Sequence, residues 1–153
     1  MYSQGVIFYF TPFYFKDGNP CKPKYLIVLV NNNGENIVVS LPTRKDSLPS
    51  QISLNHGCIN DNSISVNCYH FKKEEKICDN GFSFPIDTFI YGYSVDLWEI
   101  TLLDEIYKTE GIDYEIMGTL TESEYQSIIK CFANSTSVKG KFRKVFQKTL
   151  NSF

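Results

Sequence analysis

The period at which apolar side chains recur changes partway along this chain of 153 residues. Up to about residue 93, apolar residues occur in short continuous runs or at every second position, which is typical of strands. After about residue 100 they recur at helical spacing, as Leu102 and Ile106 do. We therefore predict an α+β fold, with a small twisted β-barrel over about residues 5–93 and packed helices over about 101–150.

Local signals place individual elements within this outline. The apolar run at residues 25–30 lies between Pro23 and the turn sequence at 31–34, which predicts a hairpin with a return strand at 36–41. Residues 121–124 form a capping-box sequence, which predicts the start of a helix. The other predicted elements are strands over 5–10, 51–54 and 64–71, a strand around 88–91, and a last helix from about residue 137.

Size and charge limit the classes of function. A chain of this length predicts one domain, covering residues 1–153. The net charge of −2 means that any nucleic acid must be bound by a local patch rather than by an overall attractive field. No apolar run reaches the roughly 18–20 residues of a membrane span, and the first residues do not resemble a signal peptide. We therefore expect a cytoplasmic protein with no membrane partner, whose five cysteines are reduced.

Three stretches carry motifs that occur in a fixed order along the chain. They are GVIFYF at 5–10 with KDG at 16–18 and KPKYLIVL at 22–29; IVVSLPTRK at 37–45 with LP at 48–49 and ISL at 52–54; and IMGTLTESE at 116–124. Together they resemble the MazF/PemK family of toxin endoribonucleases. The resemblance implies an SH3-like barrel that cleaves single-stranded RNA without a metal ion, forms a homodimer and is held inactive by an antitoxin protein.

The resemblance also implies a set of site residues. Lys24 and Thr43 match positions that carry catalytic groups in the family, and Lys22 and Lys45 are expected to bind RNA. Family members usually have an arginine before the second strand, where this chain has Lys24, or Lys22 if the gap in the match falls elsewhere. Arg44, which follows Thr43, is the candidate to supply the missing guanidinium, and it completes the expected catalytic set. Because arginine offers a planar fork to phosphate and lysine only a point charge, this difference leaves the activity open.

The chemistry explains why these residue types are needed. In RNA cleavage without a metal, the 2′-hydroxyl of the RNA is the nucleophile, so the protein must move protons and stabilise charge on the phosphate. Cations and a hydroxyl at the rim of a groove can do this. The competing interpretations are that Thr43 caps a turn and that Lys24 and Arg44 are solvated charges. In that case the chain is a non-catalytic barrel that binds a protein or a nucleic acid.

A cysteine and histidine set raises the question of a zinc site. His56, Cys58, Cys68, His70 and Cys78 lie within one stretch. Zinc is usually held by ligands two to four residues apart on tight turns, and the sequence has no C-x-x-C. We therefore predict no metal ion and no other cofactor.

Overall fold

The computed structural model describes residues 1–44 and 55–153. Within these residues the chain forms two antiparallel sheets and three α-helices, which confirms the α+β class. The strands are β1 (Val6–Phe13), β2 (Lys22–Asn32), β3 (Asn36–Ser40), β4 (Gly57–Asp61), β5 (Val66–Phe71), β6 (Thr88–Tyr91), β7 (Asp96–Glu99) and β8 (Tyr114–Thr119). The helices are α1 (Ile100–Ile106), α2 (Glu122–Ala133) and α3 (Gly140–Asn151).

The larger sheet has the strand order β7-β3-β2-β1-β8, with β2 at its centre. Both faces of this sheet are covered by apolar cores. On β2, Ile27 and Leu29 belong to the core that includes α2 and α3, whereas Leu26 and Val28 belong to the core that includes α1. Burial on both faces explains why the run at 25–30 is apolar throughout instead of alternating.

The hairpin between β2 and β3 turns where the sequence predicts it. Asn33 and Gly34 adopt left-handed backbone conformations, with φ of 54° and 77°. Asparagine and glycine adopt this conformation more readily than other residues. The side chain of Asn31 accepts a hydrogen bond from the Gly34 backbone N–H at 2.8 Å, which closes the turn.

The smaller sheet has the order β4-β5-β6 and is joined to the rest of the fold in two ways. Thr43, just beyond β3, exchanges two backbone hydrogen bonds with Phe89 of β6. A disulfide joins Cys58 of β4 to Cys131 of α2. The prediction of five reduced cysteines is therefore wrong for this pair, while Cys21, Cys68 and Cys78 are free.

Two further predictions about the architecture need correction. The described strands form two open sheets and not a closed barrel. Strand β8 lies in the part of the chain predicted to be helical, where it pairs with β1 at the opposite end of the sequence, and β7 lies between the two predicted parts. The predicted strand at 51–54 lies outside the described residues. None of the described helices has the length and apolarity that crossing a membrane would require.

Candidate nucleic-acid interface

A groove of about 520 Å³ brings together four of the five residues that the sequence analysis assigned to the site. Lys22 and Lys24 lie at the start of β2, and Thr43 and Arg44 lie in the segment that follows β3. Lys45, the fifth, lies outside the described residues. The groove is lined by Tyr9, Lys22, Pro23, Lys24, Tyr25, Pro42, Thr43, Arg44 and Ile86.

The segment after β3 is fixed by its backbone. The Thr43 N–H donates to the Phe89 carbonyl at 2.8 Å, and the Phe89 N–H donates back to the Thr43 carbonyl at the same distance. Pro42 is buried, Thr43 is half-buried and Arg44 is exposed. The chain therefore presents a half-buried hydroxyl next to an exposed guanidinium at the edge of the groove.

Two tyrosines add aromatic surface to the groove. Tyr9 of β1 lies opposite Tyr25 of β2 in the antiparallel register, and their ring centroids are 4.6 Å apart. Burial raises the pKa of Tyr25, as does its proximity to Tyr9, while the charge of Arg44 acts in the opposite direction. The Tyr25 phenol is therefore neutral at physiological pH, and the groove gains no negative charge from it.

The cations of the groove act on one another. Burial lowers the pKa of Lys24, and the positive charges of Lys22 and Arg44 lower it further. None of these three side chains forms an ion pair with another residue in the described part of the chain. The groove is thus a region of concentrated positive charge, of the kind that attracts phosphate.

Sequence reasoning did not assign Tyr9, Tyr25 or Ile86 to this groove. Tyr9 lies between two buried residues of β1, and Tyr25 begins the apolar run of β2, so both patterns indicate core. The register between β1 and β2 places Tyr9 opposite Tyr25, and a prediction of this register would have assigned Tyr9 to the groove. Ile86 precedes β6 and is 44% exposed, and it adds an apolar side chain to the groove.

The structure separates the residues considered for zinc. Cys58 is in the disulfide, and His70 is fully buried between the Asn55 carbonyl at 2.9 Å and an Asp87 carboxylate oxygen at 3.0 Å. Cys68 and Cys78 are buried thiols, and burial raises their pKa values to about 11 and about 12. These residues therefore do not form a common set of ligands with His56.

A scan of protein-family models found no match to the chain, and neither did searches of the curated proteins and of the solved structures.

Proposed function

We propose that the groove binds single-stranded RNA and that the protein is a metal-independent endoribonuclease. The observation that supports this proposal is the meeting of three cations, the Thr43 hydroxyl and a tyrosine pair around one concave surface. Cations bind the phosphates of a single strand, and aromatic rings stack on its unpaired bases. A duplex exposes no free base face to a tyrosine, which favours a single strand as the ligand.

Each group has a distinct role in the proposed reaction. Lys24 accepts the proton of the RNA 2′-hydroxyl, because a lowered pKa gives it a larger share of the neutral amine than an exposed lysine has. The 2′-oxygen attacks the adjacent phosphorus, and the bond from phosphorus to the 5′-oxygen breaks. Arg44 and the Thr43 hydroxyl stabilise the negative charge that develops on the phosphate. The Lys24 ammonium then returns a proton to the leaving 5′-oxygen.

The test is cleavage of a set of single-stranded RNAs by purified protein in the presence of EDTA. Loss of one charge-stabilising donor typically lowers the rate by about 10²–10³-fold, so Thr43→Ala and Arg44→Ala are expected to do so. Lys24→Ala should lower the rate as well, and Lys24→Arg should lower it to a similar extent, because arginine keeps the positive charge but does not lose its proton and so cannot act as the base. Lys148→Ala, which removes an exposed lysine of α3, is the matched control.

The same experiment distinguishes catalysis from binding alone. The alternative, a non-catalytic module for RNA or a protein, uses the groove as a binding surface and predicts intact RNA under all conditions. Suppose that wild type binds RNA, that Lys22→Ala or Arg44→Ala weakens this binding, and that no variant cleaves the RNA. The binding-module proposal would then replace the endoribonuclease proposal. Equal cleavage by wild type and by the alanine variants of Lys24, Thr43 and Arg44 would mean that the active site lies outside this groove.

The biological setting proposed from the resemblance is a toxin–antitoxin pair in the cytoplasm. Expression of the chain should arrest growth, and Thr43→Ala should relieve the arrest. Co-expression of the antitoxin should restore growth. An acidic segment in the antitoxin would complement the positive charge of the groove. Size-exclusion chromatography with light scattering tests the proposed homodimer, since a monomeric mass at all concentrations contradicts it.

A further inference from the structure

Two side-chain links join the start of β4 to α2. One is the disulfide between Cys58 and Cys131. The other is formed by His56, which precedes β4, and by Glu124 in the first turn of α2: His56 Nε2 lies 2.8 Å and 3.0 Å from the two carboxylate oxygens. These four residues line a second cavity, of about 570 Å³, which shares no lining residue with the groove. The two links therefore hold the same two elements together.

The other nitrogen of the His56 ring lies close to both a donor and an acceptor. The Lys72 backbone N–H donates to Nδ1 at 3.0 Å, and Glu75 Oε2 lies 2.7 Å from the same nitrogen. Lys72 and Glu75 are the two ends of the turn after β5, which is closed by a hydrogen bond from the Glu75 backbone N–H to the Lys72 carbonyl. A ring nitrogen carries either a lone pair or a proton. The protonation state of His56 therefore decides which end of the turn Nδ1 binds.

The ring has a satisfied arrangement in each protonation state. In the neutral ring, the Nε2–H donates to Glu124 and Nδ1 accepts from Lys72. The Glu75 side chain is 46% exposed, so water can solvate its carboxylate in this state. In the protonated ring, the Nδ1–H donates to Glu75, and the Lys72 N–H gives up its acceptor. The two states thus differ in the partner of Nδ1 and in the charge that faces Glu124.

The carboxylates around the ring favour the protonated state. Burial acts to lower the pKa of His56, but the hydrogen bond to Glu124 and the charges of Glu124 and Glu75 outweigh it and raise the pKa above its ordinary value. The Lys72 charge opposes this effect. A group whose pKa is raised on folding stabilises the fold below its unfolded pKa, and the stabilisation is lost as the pH rises through the folded pKa.

Two further polar groups complete these surroundings. The Tyr69 hydroxyl of β5 donates to Glu124 Oε2, which holds the carboxylate in place beside His56. Lys130, the other charged residue in the lining of the cavity, lies further along α2. The charge that changes in this cluster near neutral pH is therefore that of the imidazole.

We propose that His56 is a pH-sensitive switch, which on gaining a proton exchanges Lys72 for Glu75 and strengthens the link between β4 and α2. The side chains of His56 and Glu124 are only 16% and 12% exposed, so water screens their attraction weakly. While the disulfide is intact, it holds the two elements at any pH. A dithiol that reduces the disulfide, and is itself oxidised to a disulfide, would make the link between β4 and α2 depend on the charge of His56.

The test is an NMR titration of the oxidised protein between about pH 5 and pH 9. The chain has two histidines, so the ring resonances lost in His56→Gln identify His56. We expect its midpoint to lie above about 6.5, with the proton on Nε2 alone above the midpoint and on both nitrogens below it. Corrected for intrinsic exchange rates, the Lys72 amide should lose protection as the ring is protonated. The Glu74 amide, which donates to the Phe84 carbonyl at 2.8 Å, should keep its protection.

Two variants separate the role of Glu75 from a general effect of charge. Glu75→Gln should lower the midpoint of His56, because it removes one of the two carboxylates that favour the protonated ring. Glu74→Gln, a change at the neighbouring exposed carboxylate, is the matched control and should leave the midpoint close to that of wild type.

A third measurement tests the link to α2. In Cys58→Ala/Cys131→Ala, the corrected protection of the β4 amides should fall as the pH rises through the His56 midpoint, and addition of His56→Gln should remove this dependence. In oxidised wild type the fall should be smaller.

The proposal is overturned by a His56 midpoint at or below that of an unstructured histidine, or by equal midpoints in wild type and Glu75→Gln. Protection of the Lys72 amide that does not change with the charge of His56 would mean that Nδ1 keeps one partner, which overturns it as well. Equal protection of the β4 amides on both sides of the midpoint in the double variant would mean that the link is not switched.

Discussion

The Cys58–Cys131 disulfide should be one of the largest single contributions to the stability of the fold. It joins β4 to α2 across a sequence separation of 73 residues. In the chain-entropy treatment, a cross-link restricts the unfolded state by an amount that grows with the logarithm of the closed loop. For a loop of this length the treatment gives about 4 kcal/mol at 25 °C, against a total of about 5–15 kcal/mol for a typical domain.

The perturbation is the double variant Cys58→Ala/Cys131→Ala, compared with oxidised wild type by urea unfolding at pH 7. We expect the free energy of unfolding to fall by about 4 kcal/mol. Cys21→Ser is the matched control, because Cys21 is exposed and free, and it should change the free energy by less than about 0.5 kcal/mol. Titration of thiols in denaturant without reductant should find the three free cysteines.

Two results would refute this reasoning. Five titratable thiols in protein purified without reductant would mean that the cross-link does not form. A loss below about 1 kcal/mol in the double variant, with three thiols in wild type, would mean that residual structure already holds the two segments together in the unfolded chain.

Three further predictions concern single contacts. Thr121→Ala removes the side-chain cap of α2 and should lower the free energy of unfolding by about 1 kcal/mol in a chemical denaturation series. Tyr125→Phe removes a buried hydroxyl that donates to a β2 carbonyl at 2.6 Å, and should cost about 1–3 kcal/mol in the same assay. The pKa of Asp87 is lowered by the Lys73 backbone N–H and by His70, so the carboxylate stabilises the fold above its unfolded pKa. Stability measured from pH 6 downward should therefore fall below about pH 4 as Asp87 is protonated, and Asp87→Asn should make this fall shallower.

The elements that the sequence predicted well are those whose side chains are buried. The run at 25–30 indicates β2 because both faces of that strand are covered. The capping box predicts the start of α2, and Thr121 indeed accepts a hydrogen bond from the Glu124 backbone N–H at 3.2 Å. In a complete capping box, the Glu124 side chain would also accept a hydrogen bond from the Thr121 backbone N–H. Here the Glu124 side chain contacts His56 and Tyr69 instead.

The missed strands β4, β7 and β8 all lie at edges of the sheets, although the edge strand β6 was predicted. β4 and β8 carry mostly exposed or half-buried side chains, and β7 has four residues. Edge strands are held by backbone pairing along one side, so their side chains need not alternate between apolar and polar. The pattern of such a segment does not distinguish it from a loop or a short helix.

The groove and the contact between His56 and Glu124 were predictable to different degrees. Lys24, Thr43 and Arg44 lie at ends of paired strands, and pairing of β2 with β3 brings those ends together. His56 and Glu124 are brought together by packing of α2 against the smaller sheet. Strand pairing follows from a turn signal, whereas the packing of a helix on a distant sheet depends on the whole core.

The weak net charge of the chain hides a locally positive groove, and this bears on how RNA would bind. Lys22, Lys24 and Arg44 are the cations that line the described groove. For a single strand, the logarithm of affinity falls with the logarithm of salt concentration by about 0.7 for each phosphate neutralised, so three contacts give a slope of about −2. Arg44→Ala should reduce that slope by about 0.7, whereas Lys148→Ala, which removes an exposed lysine of α3 outside the groove, should leave it unchanged. A slope near zero in wild type would mean that phosphate contacts do not drive binding, and the tyrosine pair would then have to account for it.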